Sequence, residues 1–118
     1  MTRALRILVL SSLMVATPSL AGRGAAGMNL VNNTGQAISN LYIRRTGTTS
    51  WQPLPASPAK PAKGAKAVSP FADPDCAFDL KVTLEDSKEA VWGGVNLCEV
   101  KSLTLNRSEA GVTWVDYD

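Results

Sequence analysis

The stretch that decides the fold is Cys76-Ala77-Phe78-Asp79-Leu80-Lys81-Val82-Thr83-Leu84-Glu85. Every second residue from Cys76 to Leu84 is apolar or a cysteine, and polar residues fill most of the positions between them. An alternation with a period of two is typical of a β-strand that buries one face and leaves the other in solvent. The stretch therefore predicts a half-buried strand over residues 76–85.

The residues after this strand predict a β-hairpin. A two-residue turn at residues 86–87 places Glu85 opposite Lys88, which is a favourable pair of charges. The partner strand then runs to residue 95. In this register Trp92 shares the outer face of the hairpin with Lys81.

Four further segments predict strands, because turn-forming residues bound short apolar runs. They are residues 28–31, residues 38–45, residues 112–117 and the segment that contains Val100, Leu103 and Leu105. No segment shows a helical period. We therefore expect an all-β fold, either a small antiparallel β-sandwich or a partly open barrel of about six to seven strands.

The first 21 residues have the pattern of a secretory signal peptide. Arg3 and Arg6 precede an apolar run over residues 7–16, and a small-residue cleavage site follows Pro18 and ends at Ala21. The run is about half as long as the ~20 residues that a membrane-spanning helix needs, so we expect no permanent anchor. The sequence predicts an exported protein that is periplasmic or extracellular.

Cleavage removes 21 of the 118 residues and leaves 97, enough for one compact domain. Residues 22–27 are small and glycine-rich, so they predict a flexible leader. The single β domain is expected over residues 28–118.

The charge of the mature chain argues against nucleic acid as a partner. The full sequence has 12 basic and 10 acidic residues, and the loss of Arg3 and Arg6 leaves ten of each. A neutral domain has no overall attraction for phosphates. The charges are nevertheless segregated, with a basic middle at residues 44–66 and an acidic end at residues 73–118. They either orient the molecule toward a charged partner or form ordinary solvated surface.

Cys76 and Cys98 are the two cysteines of the chain, so one pairing is available. We expect a disulfide, since exported proteins meet an oxidising compartment. The hairpin register places Cys76 opposite Leu97, and a bulge at Gly93-Gly94 would shift the side-chain phase by one. Two unpaired buried thiols are the alternative. No metal site is expected, because two cysteines without a histidine do not complete a zinc site.

Residues 53–66 are rich in Pro, Ala and Lys, which predicts a loop rather than a helix or a sheet strand. In a polyproline II conformation Lys60, Lys63 and Lys66 would line one edge about 9 Å apart. Such a row is a candidate binding site for an anionic polymer or a membrane surface. The alternative is a solubilising surface loop.

Three tryptophans offer a second candidate site. Trp92 on an uncovered sheet face would stack on sugar rings or fill a pocket of a partner protein. The alternative is that Trp51, Trp92 and Trp114 all belong to the core, with Trp51 covering its end.

The absence of histidine excludes a Ser/His/Asp triad and any imidazole base. Two carboxylate pairs, Asp73 with Asp75 and Asp116 with Asp118, could serve as acid and base or bind Ca²⁺. Each pair lies beside a predicted turn or the end of the chain, where solvated Asp is common. We expect no cofactor and no catalytic residue.

Two motifs resemble a group of small exported bacterial proteins. They are V-N-N-T-G-x-x-I-x-x-L-Y, which starts at Val31, and the paired-Cys hairpin that ends with Gly94-Val95-Asn96-Leu97-Cys98. The resemblance covers roughly residues 29 to 105 and implies a fold and a compartment but no catalytic residue. Some members carry the name argininosuccinate lyase, a far larger helical enzyme that nothing in this sequence resembles. This chain departs from the group in its Pro/Ala/Lys segment and at Asp86-Ser87.

These observations leave three hypotheses. The first is an exported, non-catalytic β domain that binds a protein or an envelope polymer through Trp92 or the lysine row. The second is a structural or stability role in the envelope. The third is an enzyme that uses carboxylates alone, which requires Asp73, Asp75 and Asp79 to meet in one pocket.

Overall fold

The computed structural model describes residues 24–118. The predicted signal peptide at residues 1–21 and the first two residues of the predicted leader lie outside the described residues. The described chain forms eight β-strands and no helix: β1 (Ala25–Asn33), β2 (Ile38–Arg45), β3 (Gln52–Pro53), β4 (Lys66–Asp73), β5 (Ala77–Leu84), β6 (Glu89–Asn96), β7 (Ser102–Arg107) and β8 (Thr113–Tyr117). Over residues 24–118 there is accordingly no helix that is long and apolar enough to span a membrane.

The strands form two four-stranded sheets in the orders β4-β1-β7-β8 and β3-β2-β5-β6. Neighbouring strands are antiparallel except β1 and β7, which are parallel. The sheets do not close into a barrel, so the predicted all-β fold is confirmed as a small β-sandwich. Strands β4 and β8 form the edges of one sheet, and β3 and β6 form the edges of the other.

The core lies between the sheets and follows the alternation seen in the sequence. In β5 the side chains of Phe78, Leu80, Val82 and Leu84 are at most 1% exposed. The other sheet contributes Met28 and Leu30 from β1 and Leu103 and Leu105 from β7. Inward-facing apolar side chains on both sheets supply the hydrophobic stabilisation of the fold.

The predicted register of the β5–β6 hairpin is wrong by one residue. Val82 lies opposite Ala90 and Leu80 lies opposite Trp92. The loop has three residues instead of two, and its last residue, Ser87, has a positive φ of 71°. This is the hairpin type in which a turn is followed by a residue in the left-handed region. One extra loop residue moves every β6 side chain to the opposite face.

The predicted bulge at Gly93-Gly94 is confirmed. Leu80 pairs with Trp92 and Phe78 pairs with Val95, so two residues of β6, Gly93 and Gly94, lie opposite the single residue Asp79 of β5. Gly94 has a φ of +63°, which glycine adopts without steric cost. Its N–H donates to Asp79 Oδ1 at 3.0 Å.

The expected disulfide joins Cys76 and Cys98, with a Cα–Cα distance of 5.1 Å. Cys76 remains opposite Leu97, whose N–H donates to its carbonyl at 2.9 Å. The bulge therefore does not bring Cys98 directly opposite Cys76. The longer loop and the bulge each shift the pairing by one residue, and the two shifts cancel.

Three other boundaries differ from the prediction. β1 begins at Ala25, which is buried, so the last three residues of the predicted leader are part of a sheet. Pro53 and Lys66, the ends of the predicted loop, lie in β3 and β4. Strand β4 was not predicted from the sequence. Its Pro70 is tolerated, because β4 is an edge strand with an irregular register and needs no N–H at that position.

Candidate functional site

Trp92 is 2% exposed, so its predicted place on an open sheet face is wrong. The one-residue register difference turns the side chain into the space between the sheets. Its Nε1–H donates to the carbonyl oxygens of Asn106 at 3.0 Å and Trp114 at 3.1 Å. Trp92 thus joins β6 to β7 and β8. The reading in which all three tryptophans are core is also wrong, because Trp114 is 47% exposed.

The lysine row does not form as predicted. Lys60 lies in a bend, Lys63 lies in a turn and Lys66 begins β4, so the three residues follow no common polyproline II segment. The turn is closed by the Ala65 N–H, which donates to the Ala62 carbonyl at 2.9 Å. All three lysines are exposed.

The carboxylates do not meet in one pocket. Asp73 and Asp75 both bind Arg45, at 3.0 Å and 2.9 Å, whereas Asp79 binds Arg44 at 2.9 Å. At the end of the chain, Asp116 accepts a hydrogen bond from Asn106 Nδ2 at 2.9 Å. Across residues 24–118 no group of three or more His, Cys, Asp or Glu residues is placed to hold a metal ion.

The turn after β1 has a structural role. The Asn32 side chain is 1% exposed and donates to the carbonyl of Gln36 at 2.7 Å and to that of Pro61 at 3.1 Å. Its oxygen accepts from the Thr34 hydroxyl at 2.6 Å. The V-N-N-T-G motif therefore satisfies a buried amide and fixes the chain reversal into β2.

An apolar candidate site is a cleft between the β3 edge of one sheet and the β4 edge of the other, which we call the β3–β4 cleft. Its volume is about 340 Å³. Apolar side chains of Ile43, Phe71 and Phe78 line it, and the rings of Phe71 and Phe78 meet edge to face with centroids 5.2 Å apart. Its remaining lining residues are Arg44, Arg45, Thr48, Ser50, Gln52, Pro53 and Asp73.

The sequence explains why the sandwich is open here. β3 has two residues, and Pro53 has no N–H to extend the ladder. The segment after β3 contacts β4 through one isolated bridge, in which Ser57 and Val68 exchange backbone hydrogen bonds of 2.8 and 2.9 Å. Beyond Val68 the outer edge of β4 has no strand partner within the described residues. The Pro-rich segment that connects β3 to β4 thus leaves an opening over Ile43, Phe71 and Phe78, which form the apolar floor of the cleft.

Ion pairs hold the polar rim of the cleft in place. Arg45 donates to Asp73 and Asp75 from different nitrogens, while its side chain remains 50% exposed. Arg44 is bound to Asp79, and its guanidinium lies 4.1 Å from the centroid of the Trp51 ring. A cation over an indole face is a favourable contact.

Asp79 is the buried anchor of this arrangement. It accepts from Gly94 N–H, Arg44 Nε and Thr46 Oγ1, at 3.0, 2.9 and 2.9 Å. Burial acts to raise the pKa of Asp79, but the three hydrogen bonds and the Arg44 charge outweigh it and lower the pKa. The carboxylate therefore stays ionised at neutral pH, which suits positioning of Arg44 rather than proton transfer.

Trp51 does not cover the end of the core as predicted. It is half-buried on the outer surface beside Arg44, and Lys81 Nζ lies 4.8 Å from its ring centroid. Lys81 also lies 5.1 Å from the ring centroid of Tyr42. These four residues form a cationic and aromatic surface next to the cleft.

Sequence reasoning missed the β3–β4 cleft, because its lining comes from four separate segments of the chain. The available signals were Arg44-Arg45 at the end of a predicted strand and Phe71 directly after Pro70. Neither signal indicates a cleft without the sheet order.

No family model matches the sequence, and no curated protein matches it. One solved structure is similar in fold, an NMR structure of a protein from Eubacterium rectale. The two structures superpose with a TM-score of 0.53 at 10% sequence identity, over 86% of this chain and 94% of that chain. The similarity concerns the β-sandwich fold.

Proposed function

We propose that the protein is an exported, non-catalytic binding domain that holds an extended segment of a partner protein in the β3–β4 cleft. The observation that carries this proposal is the apolar floor formed by Phe71 and Phe78 beneath a polar rim. Binding sites commonly combine an apolar cavity with a few placed polar groups. The volume of about 340 Å³ is at the small end for such sites and suits side chains of a peptide.

An extended peptide fits this position because the edges of two strands lie beside the cleft. The outer edge of β4 beyond Val68 lacks a strand partner within the described chain, and Pro53 shortens β3. Pro53 and Pro70 limit main-chain hydrogen bonding along these edges, so an extended peptide is held mainly by an apolar side chain that enters the adjoining cavity. Thr48, Ser50 and Gln52 supply polar groups around that side chain.

The charged groups support a binding role over a carboxylate-based enzyme. Asp73 and Asp75 both form ion pairs with Arg45, and Asp79 is bound to Arg44. A carboxylate whose pKa is lowered, as for Asp79, is a poor general acid at neutral pH. The sequence contains no histidine to replace it.

Export is supported by the signal-peptide pattern of residues 1–21 and by the Cys76–Cys98 disulfide. We propose the periplasm or the outside of the cell as the place of action. We further propose that the chain belongs to the group of small exported bacterial proteins whose V-N-N-T-G motif it shares. The buried hydrogen bonds of Asn32 explain why the chain reversal in that motif needs an asparagine.

A blocked cleft tests the binding proposal. Peptides selected from a random library on the mature protein, residues 22–118, are expected to perturb the amide NMR signals of Phe71 and Gln52. Ser50→Tyr places a ring at the mouth of the cleft and is expected to weaken binding at least about tenfold. Thr49→Tyr adds the same ring to the neighbouring exposed residue, which does not line the cleft, and is expected to leave the affinity unchanged.

Equal affinity of the two tyrosine variants, or perturbed signals confined to residues outside the cleft, would reject the β3–β4 cleft as the binding site. Both substituted residues are exposed loop positions, so thermal unfolding is expected to match that of the unmodified protein.

A further inference from the structure

The four edge strands of the sandwich differ in how they are protected against pairing with another chain. β3 is two residues long and contains Pro53, and β4 contains Pro70 beside an irregular register. β6 carries the Gly93-Gly94 bulge. Short length, proline and bulges are the usual means of blunting a sheet edge. β8, with five residues, contains neither a proline nor a bulge, and its one charged residue is Asp116.

The outer side of β8 has unpaired backbone groups. Asp118 exchanges backbone hydrogen bonds with Ser102 of β7, and the Ser108 N–H donates to the Val112 carbonyl. Since every second residue of an antiparallel strand faces its neighbour, the even-numbered residues of β8 bond to β7. The N–H and C=O groups of the odd-numbered residues point away from β7, and within residues 24–118 they have no strand partner.

Large apolar side chains lie along β8, which has this unpaired side. Val112 is 60% exposed, Trp114 47% and Tyr117 49%, and all three lie in one six-residue stretch. Val112, just before β8, and Trp114 point to the same side of the sheet, and an exposed apolar patch of this kind marks an interaction surface.

We propose that β8 pairs with β8 of a second copy of this chain, antiparallel about a two-fold axis at Val115. The odd-numbered residues then bond to each other: Thr113 pairs with the partner's Tyr117, and Val115 pairs with the partner's Val115. The contact joins two four-stranded sheets into one of eight strands. A two-fold contact uses the same surface on both copies, and this edge is complementary to itself.

Strand overlap and charge support this register, which pairs all five residues of β8 with β8 of the second copy. Trp114 lies opposite the partner's Asp116, so an acidic side chain faces an apolar one. A shift of two residues in one direction brings Asp116 of both copies face to face, and like charges directly opposite each other are destabilising. A shift in the other direction brings Trp114 of both copies face to face, and either shift leaves only three of the five β8 residues paired. The contact is short, so the dimer is weak and depends on concentration. It leaves both β3–β4 clefts free, since they lie at the opposite edge of the sandwich.

Two matched variants test the dimer. Trp114→Glu sets an acid against the partner's Asp116 twice per dimer, whereas Trp114→Lys removes the same indole and sets a base there. We expect sedimentation of the mature protein from about 10 µM to about 1 mM to show a dimer. The dissociation constant of the Glu variant is expected to exceed that of the Lys variant at least about tenfold, with a smaller ratio at high salt.

Equal dissociation constants for the two variants would reject this register. A monomer at every concentration of the unmodified protein would reject a second copy as the partner of β8. Neither result bears on peptide binding at the β3–β4 cleft, which is measured separately. Trp114 is exposed, so circular dichroism is expected to show both variants folded.

Discussion

The two long edges of the β-sandwich are closed in different ways. At the β6–β8 edge the Trp92 indole bonds to two backbone carbonyls, and the Thr113 hydroxyl donates to the Val91 carbonyl at 2.8 Å. At the β3–β4 edge, backbone hydrogen bonds between Ser57 and Val68 cross the gap. The first edge is filled by side chains, and the second opens into the β3–β4 cleft.

The difference shows that local sequence makes one edge of the sandwich important for stability and leaves the other edge available for binding. An indole presents a large apolar surface and one polar N–H, so it fills the space between sheets and satisfies its own donor. A proline has neither a long side chain nor an N–H, so the segment around Pro53 leaves its edge open. We therefore expect substitutions at the β6–β8 edge to affect folding most and those at the β3–β4 edge to affect folding less.

The largest expected effect is at the filled edge. Trp92→Ala removes a buried indole and its hydrogen bonds, and it is expected to lower the free energy of unfolding by about 3–5 kcal/mol. Urea unfolding followed by circular dichroism measures this loss. Trp92→Phe keeps an aromatic ring and removes the N–H donor, so it is expected to cost less, about 1–2 kcal/mol.

At the open edge, Phe71→Ala removes a partly buried ring whose centroid lies 5.2 Å from that of Phe78. The expected loss is roughly 2 kcal/mol, below the cost for a fully buried aromatic residue. Phe71→Leu, which keeps apolar volume, serves as the control. An unfolding free energy reduced as much by Phe71→Ala as by Trp92→Ala would show that the two edges contribute equally to folding, contrary to the comparison.

The sequence predicted the class of the fold and much of its core, because alternation along β5 survives any change of pairing. Phe78, Leu80, Val82 and Leu84 point inward whichever residue of β6 faces them. The disulfide was predictable because two cysteines allow one pairing.

The candidate site was less predictable, because it depends on register and on sheet order. Ser87 adopts a positive φ without being Gly or Asn, so the sequence did not indicate the longer loop that buries Trp92. The cleft required knowledge that β3 and β4 lie at neighbouring edges of different sheets. Neither fact follows from local propensity.

The smallest expected effect concerns Asp79, which links the two edges by binding Arg44 and Thr46 on one side and Gly94 of β6 on the other. Its lowered pKa means that it stabilises the folded state at a pH above the unfolded pKa, and this stabilisation is lost as the pH falls through the folded pKa. Asp79→Asn is expected to cost roughly 1 kcal/mol at pH 7 and to flatten the decline of stability below about pH 5.

Asp86→Asn is the matched control, because hydrogen bonding to Gln36 leads the causes that lower the pKa of Asp86, yet that carboxylate is fully exposed and binds neither edge. Solvent screens its interactions, so its removal is expected to change the pH profile of unfolding less. Identical pH profiles of unfolding for the two variants would mean that burial and the Arg44 contact do not make Asp79 more important for stability than Asp86. A flatter profile for Asp79→Asn alone would show that one ionised carboxylate holds the rim of the cleft to the bulge of β6.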